Sequence, residues 1–371
     1  MLTHMAPGRT LIRHAGDPAA ILIEGGDRIL AAGQPAQIGA VPDARQVHLP
    51  DMLVLPALVN AHCHLDLSHL DPEPYGGDFA LWLDGIRRRR VVDDELIAAA
   101  VRRGIELTRA GGTAIVGDIA GGASEIPARE LRAAGIGGVS YLELIGVGNS
   151  RCRALETLDA AAAWLPSGPA DPGGLSMGLS PHAPYTCDLD LYRRAARIDV
   201  PMATHLAETP DEVESIDALA EVLCMRPIIA AHVNYSREEH LDLLARAGTT
   251  VVYCPRAAAY FGHSSHGYRR MIRAGINVAL GTDGLPCLDT PDRISVLDDM
   301  RLLYRRDGAD PAMLLHMATV AAASGLGLDA GVVTLAPGPV AGLIALPVDP
   351  LDRCDPLAQV LRRDDAPRWV S

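Results

Sequence analysis

The stretch "DMLVLPALVNAHCHLDLSHL", residues 51–70, carries an apolar run into two histidines one residue apart, His62 and His64. A short apolar run that ends in polar residues reads as a buried strand. Side chains alternate along a strand, so His62 and His64 share a face with their Cα atoms about 6–7 Å apart, and Cys63 points the other way. Two imidazoles at that spacing can close on one metal ion at roughly 2.0–2.1 Å.

The rest of the chain repeats the design. Seven more apolar, β-branched runs come after the one from Leu53: "TAIVGDIA" from Thr113, "GVSYLELIG" from Gly138, "LSMGLSPHAPY" from Leu175, "PMATHLAET" from Pro201, "IIAAHVNY" from Ile228, "TTVVYCPRA" from Thr249 and "INVALGTDG" from Ile276. Helical patterns lie between them, among them "DDELIAAAVRRGIELTRA", "CDLDLYRRAARI", "TPDEVESIDALAEVL" and "SREEHLDLLARAG", several opening on a capping Ser, Thr or Asp. Thr290 to Leu328 supplies the last helix and an extra one. Eight strands alternating with helices predict an α/β chain built as a (β/α)8 TIM barrel over residues 53–335. The ends read differently. "ILIEGGDRILAAG" from Ile21 is a hairpin with a Gly-Gly-Asp turn, "ARQVHLP" from Ala44 a short strand, and "APGPVAGLIALPV" from Ala336 more short strands. Residues 1–52 and 336–371 are therefore expected to pair in one small β-sandwich domain beside the barrel.

Composition narrows the function. The chain has 371 residues and a formal net charge of −13, which disfavours nucleic acid and anionic membrane as partners and favours a small molecule. It shows neither a signal-like segment nor a membrane-length apolar run, so a cytoplasmic protein is expected, open to homo-oligomer formation. Its seven cysteines form no CxxC pair and read as reduced, mostly buried residues. All 33 basic residues are Arg, so neither a Schiff-base lysine nor a carbamylated lysine bridging two metals is available.

In such a barrel the chemistry sits at the C-terminal strand ends. Strand one ends in His62 and His64, strand four in His182, strand five in His205 with Glu208 beyond it, strand six in His232 and strand eight in Asp283. His62, His64, His205 and Asp283 make three nitrogen ligands and one carboxylate, a set that suits one Zn2+, with Fe2+ or Ni2+ compatible on ligand type. One such histidine is unremarkable, since packed structural histidines are common; five at strand ends are hard to explain as packing.

In this order, "NAHCHLD", "SPHAPYTC", "THLAET", "AHVN" and "GTDG" resemble the amidohydrolase superfamily, most closely its branch of S-adenosylhomocysteine, methylthioadenosine and aminodeoxyfutalosine deaminases, which is chlorohydrolase-like. The resemblance implies a mononuclear site with His62, His64, His205 and Asp283 as ligands. It also implies deamination of an adenine nucleoside or a 5′-substituted adenosine, with a metal that lowers the pKa of its water from about 15.7 toward 7 and supplies hydroxide to the amine-bearing ring carbon. In that scheme Asp283 takes the water's proton, Glu208 shuttles protons to the ring nitrogen and the departing ammonia, and His232 stabilises the tetrahedral adduct. His182 and Trp82, the latter in "DFALWL", are expected to contact substrate. The segment "CPRAAAYFGH" stands where many adenosine-type relatives carry CPxSN, and "GTDGLPCLDTPDR" lacks their Asn-containing turn. These departures bear on the substrate rather than on the metal site. Guanine, pterin or triazine aminohydrolysis, chlorohydrolysis, or a non-catalytic scaffold are the competing readings. Arg87 to Arg90 read as a solvated helix face, His263 and His266 as loop histidines, and Asp66 and His69 as loop residues near the site.

Overall fold

A computed structural model describes residues 8–163, 165, 174–263 and 266–370. The N-terminal segment forms β1 (Arg9–His14), β2 (Ala20–Glu24), β3 (Arg28–Gly33), β4 (Arg45–Leu49) and β5 (Met52–Pro56). The hairpin is where the sequence puts it, with β2 and β3 antiparallel across Gly25–Asp27. The run from Leu53, read as one strand, is two. Its first half, β5, belongs to the terminal layer, and β6 (Leu58–His64) begins after Ala57. The apolar sequence is continuous across this joint because both halves are buried, which hides the change of sheet.

From β6 the parallel strands are β7 (Thr113–Ala120), β8 (Gly137–Leu144), β9 (Leu175–Pro181), β10 (Ala203–Leu206), β11 (Ile229–His232), β12 (Thr250–Tyr253), β13 (Asn277–Leu280) and the two-residue β14 (Asp283–Gly284). They make two parallel sheets, β14-β6-β7-β8-β9 and β10-β11-β12-β13. At one seam Leu179 and Met202 bridge and the His205 amide donates to the His182 carbonyl at 2.8 Å. At the other, the Gly281 amide donates to Tyr253 and the Thr282 amide to His62, while Asp283 and Gly284 pair with Cys63 and His64. Every residue of β6, β7 and β8 is buried, as expected of parallel strands covered on both faces.

The helix Asp94–Ala110 shows how the covering layer is specified. The Asp93 side chain accepts from the Glu95 and Leu96 amides, and Gly111 ends the helix. Ile97, Val101 and Ile105 recur at helical spacing and bury against Cys63, Leu65 and Val116, each worth roughly 1.5–3 kcal/mol of transfer free energy. Cys63 thus faces outward into packing, opposite its two histidine neighbours. The stretch from Thr290 gives three helices, Val296–Asp307, Pro311–Met317 and Val320–Gly325, one more than the sequence suggested.

The C-terminal segment returns to the first layer. There β15 (Gly338–Pro339) extends the sheet to β15-β3-β2-β1-β4, and β16 (Leu343–Pro347) lies between β5 and β17 (Arg368–Val370). Ile12, Ile21 and Ile29 from one sheet pack with Val54, Leu343 and Ala345 from the other. Among the described residues, no helix is long and apolar enough to cross a membrane.

Candidate functional site

The C-terminal ends of the parallel strands bring five imidazoles and two carboxyls together. Ligand atoms of His62, His64 and His205 lie within 4.8 Å of one another, as do those of Glu208, His232 and Asp283, and all six residues are buried. The Nε2 atoms of His64 and His205 are 3.2 Å apart. Asp283 Oδ1 stands 3.4 Å from His64 Nε2 and 3.9 Å from His62 Nε2. Donors that share one tetrahedral ion at 2.0–2.1 Å are spaced by about 3.3–3.4 Å, so the four groups are near that arrangement.

Hydrogen-bond accounting supports the same reading. Nε2 of His62, the nitrogen toward Asp283, is buried without a hydrogen-bond partner among the described residues. Buried polar atoms without partners call for an explanation, and an ion between these side chains is one. His205 donates from Nδ1 to the His182 carbonyl at 2.9 Å, which leaves Nε2 as a lone pair facing the cluster. Burial, reinforced by the neighbouring imidazoles, holds His62, His64 and His232 well below the usual histidine range, so they are neutral, as metal ligation requires. Burial pushes the Asp283 carboxyl up to about 7. It pushes Glu208 well above the ordinary carboxylate range, and Asp283 and Glu212 add to the effect.

Local backbone places these groups. His232 and Asp283 both have positive φ, 69° and 65°, as do Ala207 and Val233 at 47° and 48°. A β-branched residue such as Val233 seldom adopts this region, and strain of this kind is held by the packing around a site. Gly281 precedes the turn because a Cβ there would lie 2.9 Å from both Cβ and O of His62. Asn60 joins the two ends of the ligand set, donating to the Thr282 hydroxyl at 2.8 Å and accepting from its amide at 3.2 Å.

Around this cluster lie the other residues the sequence singled out. His232 Nε2 is 3.7 Å from Glu208 Oε1. Nδ1 of His182 lies 2.7 Å from the Thr186 hydroxyl, and its ring packs against His205. Trp82 donates to the Tyr260 hydroxyl at 3.1 Å, stacks on Phe79 and meets Phe261 edge-on. His64, His182, His205, Glu208, Asp283 and Trp82 all border a cavity of about 60 Å³. His266 is drawn in from behind, its Nε2 2.8 Å from the His232 carbonyl and its ring stacked on Tyr253. His263 meets the Tyr235 hydroxyl. The two serines between these histidines lie outside the described residues.

The arginine run departs from expectation at its last member. Arg87 and Arg88 pair with Asp84, and Arg89 with Glu73, on the surface. Arg90 turns inward with its side chain 18% exposed, bonded to Asp66 at 2.8 Å and to Glu143 at 2.6 Å. A solvated face is thus the wrong description of Arg90, because two buried carboxylates draw it in. Glu143, at the end of β8, was missed although it stands at a strand end like the histidines. Asking strand three the question asked of the other strands would have found it. Asp93 and Asp94 begin a helix and do not border the small cavity. A larger cavity, about 1030 Å³, is bordered by Cys287 but by none of the cluster's histidines or carboxyls.

The profile of the amidohydrolase family matches residues 53–366. A protein of Pyrococcus furiosus named 5-methylthioadenosine/S-adenosylhomocysteine deaminase is 30% identical over 303 residues, 76% of this chain and 72% of that one. A 5′-deoxyadenosine deaminase of Methanothermobacter thermautotrophicus is 28% identical over 318 residues, 79% of this chain and 73% of its own. Among solved structures, a zinc-bound adenosine deaminase from Xanthomonas campestris superposes with TM-score 0.77 at 24% identity, covering 96% of this chain and 89% of that one. A zinc-bound atrazine chlorohydrolase from Arthrobacter aurescens gives TM-score 0.77 at 22% identity, covering 96% and 90%. The buried histidine and carboxylate cluster therefore lies in a chain that belongs to the amidohydrolase family.

Proposed function

We propose that this chain is a hydrolytic deaminase of an adenine nucleoside or of an adenosine substituted at its 5′ carbon, working with one divalent metal held by His62, His64, His205 and Asp283. The observation that carries this reading is the place of Glu208, a buried carboxyl raised well above the ordinary range, in the same cavity as His64, His205 and Asp283. The deaminase names of the relatives support it. The ligand set, three imidazoles and one carboxylate, favours zinc.

Bound there, the metal supplies Lewis acidity and brings a coordinated water toward a neutral pKa. Everything else falls to the chain. Asp283, buried beside the ligand histidines, is placed to accept the water's proton. Glu208 gives its proton to the ring nitrogen, which makes the amine-bearing carbon electrophilic, and then carries a proton to the departing amine. Water adds to the ring carbon, the C–N bond breaks, and the products are the lactam and ammonia. The neutral His232, beside Glu208, faces the charge that develops on the adduct. His182 and Trp82 line the cavity and contact the substrate. In this reading residues 53–335, apart from β5, act as one closed (β/α)8 barrel, and residues 1–52 with β5 and 336–371 form a small β-sandwich that braces it.

The test is ammonia release by zinc-loaded protein with adenosine, methylthioadenosine, S-adenosylhomocysteine, aminodeoxyfutalosine and guanine, alongside chloride release from a chlorotriazine. Turnover of an adenine nucleoside that vanishes in Glu208→Gln establishes the reaction. Metal-replete protein silent on every adenine nucleoside overturns it, and chloride release moves the assignment to chlorohydrolysis.

A further inference from the structure

The cavity beside the ligand cluster is too small for a whole substrate. Ligand pockets usually measure about 300–1,000 Å³, and this one is about 60 Å³. It adjoins a second cavity of about 640 Å³, and Phe79, Leu83, Ile86, Arg90, His182 and Tyr185 line both. A molecule whose reacting carbon lies at the cluster must extend into this second space.

Resting on the deaminase reading above, we infer that the second cavity binds the 5′ substituent of the nucleoside and that this substituent is neutral and apolar. Two independent observations carry the inference. The walls are apolar even where water reaches them. Ile145 is 44% exposed, Val147 46% and Tyr185 38%, and all three border the cavity together with Phe79, Leu83 and Ile86. Clustered exposed apolar side chains of this kind mark a binding surface.

The charges give the second argument. Arg87 and Arg90 are the cations among the described residues lining the cavity, and both are already engaged, Arg87 by Asp84 and Arg90 by Asp66 and Glu143. Asp211 and Glu212 add further carboxyls to the wall. A carboxylate on the substrate would find no unpaired cation there and would lie among like charges. A methylthio group meets no such penalty, whereas the carboxylate of the S-adenosylhomocysteine tail does.

Binding separates this inference from the reaction it rests on. Calorimetric titration of the zinc-loaded Glu208→Gln protein is expected to show methylthioadenosine binding about tenfold or more tighter than S-adenosylhomocysteine, the discrimination typical of one well-matched apolar group. Adding Val147→Arg, or Ile145→Arg as a second exposed position, supplies the unpaired cation the wall lacks and is expected to reduce that ratio at least fivefold. Equal or tighter binding of S-adenosylhomocysteine, a ratio unmoved by either substitution, or no binding of methylthioadenosine overturns the inference. Methylthioadenosine that binds as expected while unsubstituted protein releases no ammonia from any adenine nucleoside overturns the deaminase reading and leaves the apolar subsite standing.

Discussion

Asn60 and Thr282, 222 residues apart, exchange two hydrogen bonds, with the Asn60 amide donating to the Thr282 hydroxyl and its carbonyl accepting from the Thr282 backbone. Asn60 stands two residues before His62, and Thr282 directly precedes Asp283, so this pair sets the distance between the first and last members of the ligand set. Asn60→Ala is expected to weaken zinc binding by about 10–100-fold, the usual cost of losing a group that orients ligands. Competition against a chromogenic chelator measures it. Unchanged zinc affinity in folded Asn60→Ala protein would remove Asn60 from any role in the metal site.

Glu208→Gln separates proton transfer from metal binding. Gln keeps the size of the side chain but carries no transferable proton, and Glu208 lies outside the four-ligand set. The expected result is a loss of kcat of about 10²–10⁴-fold, the range for a general acid–base group, with zinc content held near one per chain. Loss of zinc along with activity would instead make Glu208 a ligand.

Asp283 gives metal affinity a pH dependence of definite sign. Its folded-state carboxyl is raised to about 7, so below that pH it is protonated and a proton competes with the metal. Burial holds His62 and His64 well below the usual histidine range and lowers His205, so Asp283 is the ligand whose proton the metal displaces near pH 7. One proton should therefore leave per zinc bound, and affinity should weaken by about tenfold per pH unit as pH falls below about 7, flattening above it. Zinc titrations between pH 5.5 and 8 test this. A slope set by histidine protonation would persist in Asp283→Asn, whereas the expected slope disappears.

Much of this was legible in the sequence because the decisive residues follow local rules. His62, His64, His205, His232 and Asp283 end apolar runs, and a strand's period of two tells which of them face the same way. What stayed hidden depends on contacts between distant segments. The split at Ala57 leaves no mark, because β5 and the opening residues of β6 are alike apolar and buried and differ in their pairing partners. Arg90 looks like its three neighbours in sequence, and only Asp66 and Glu143, 24 positions before and 53 after, distinguish it. Asn60 stands in the first motif, yet its role needs a partner from the last strand.

Arg90 is a residue whose removal should cost the fold heavily. Its guanidinium lies against Gly121, where a Cβ would collide with Cζ, Nη2 and Nε, so the arginine and the glycine specify each other. Arg90→Met leaves the side chains of Asp66 and Glu143, 5% and 2% exposed, without their cation. Breaking one side of such a pair destabilises by about 3–5 kcal/mol, measurable as a lower denaturation midpoint in urea. Gly121→Ala alone should also destabilise, because the guanidinium must shift away from both carboxylates. In an Arg90→Met background the same alanine meets a flexible thioether and should cost much less, giving a coupling of about 0.5–3 kcal/mol. Additive effects of the two substitutions would mean that Gly121 is required for some reason other than the arginine it supports.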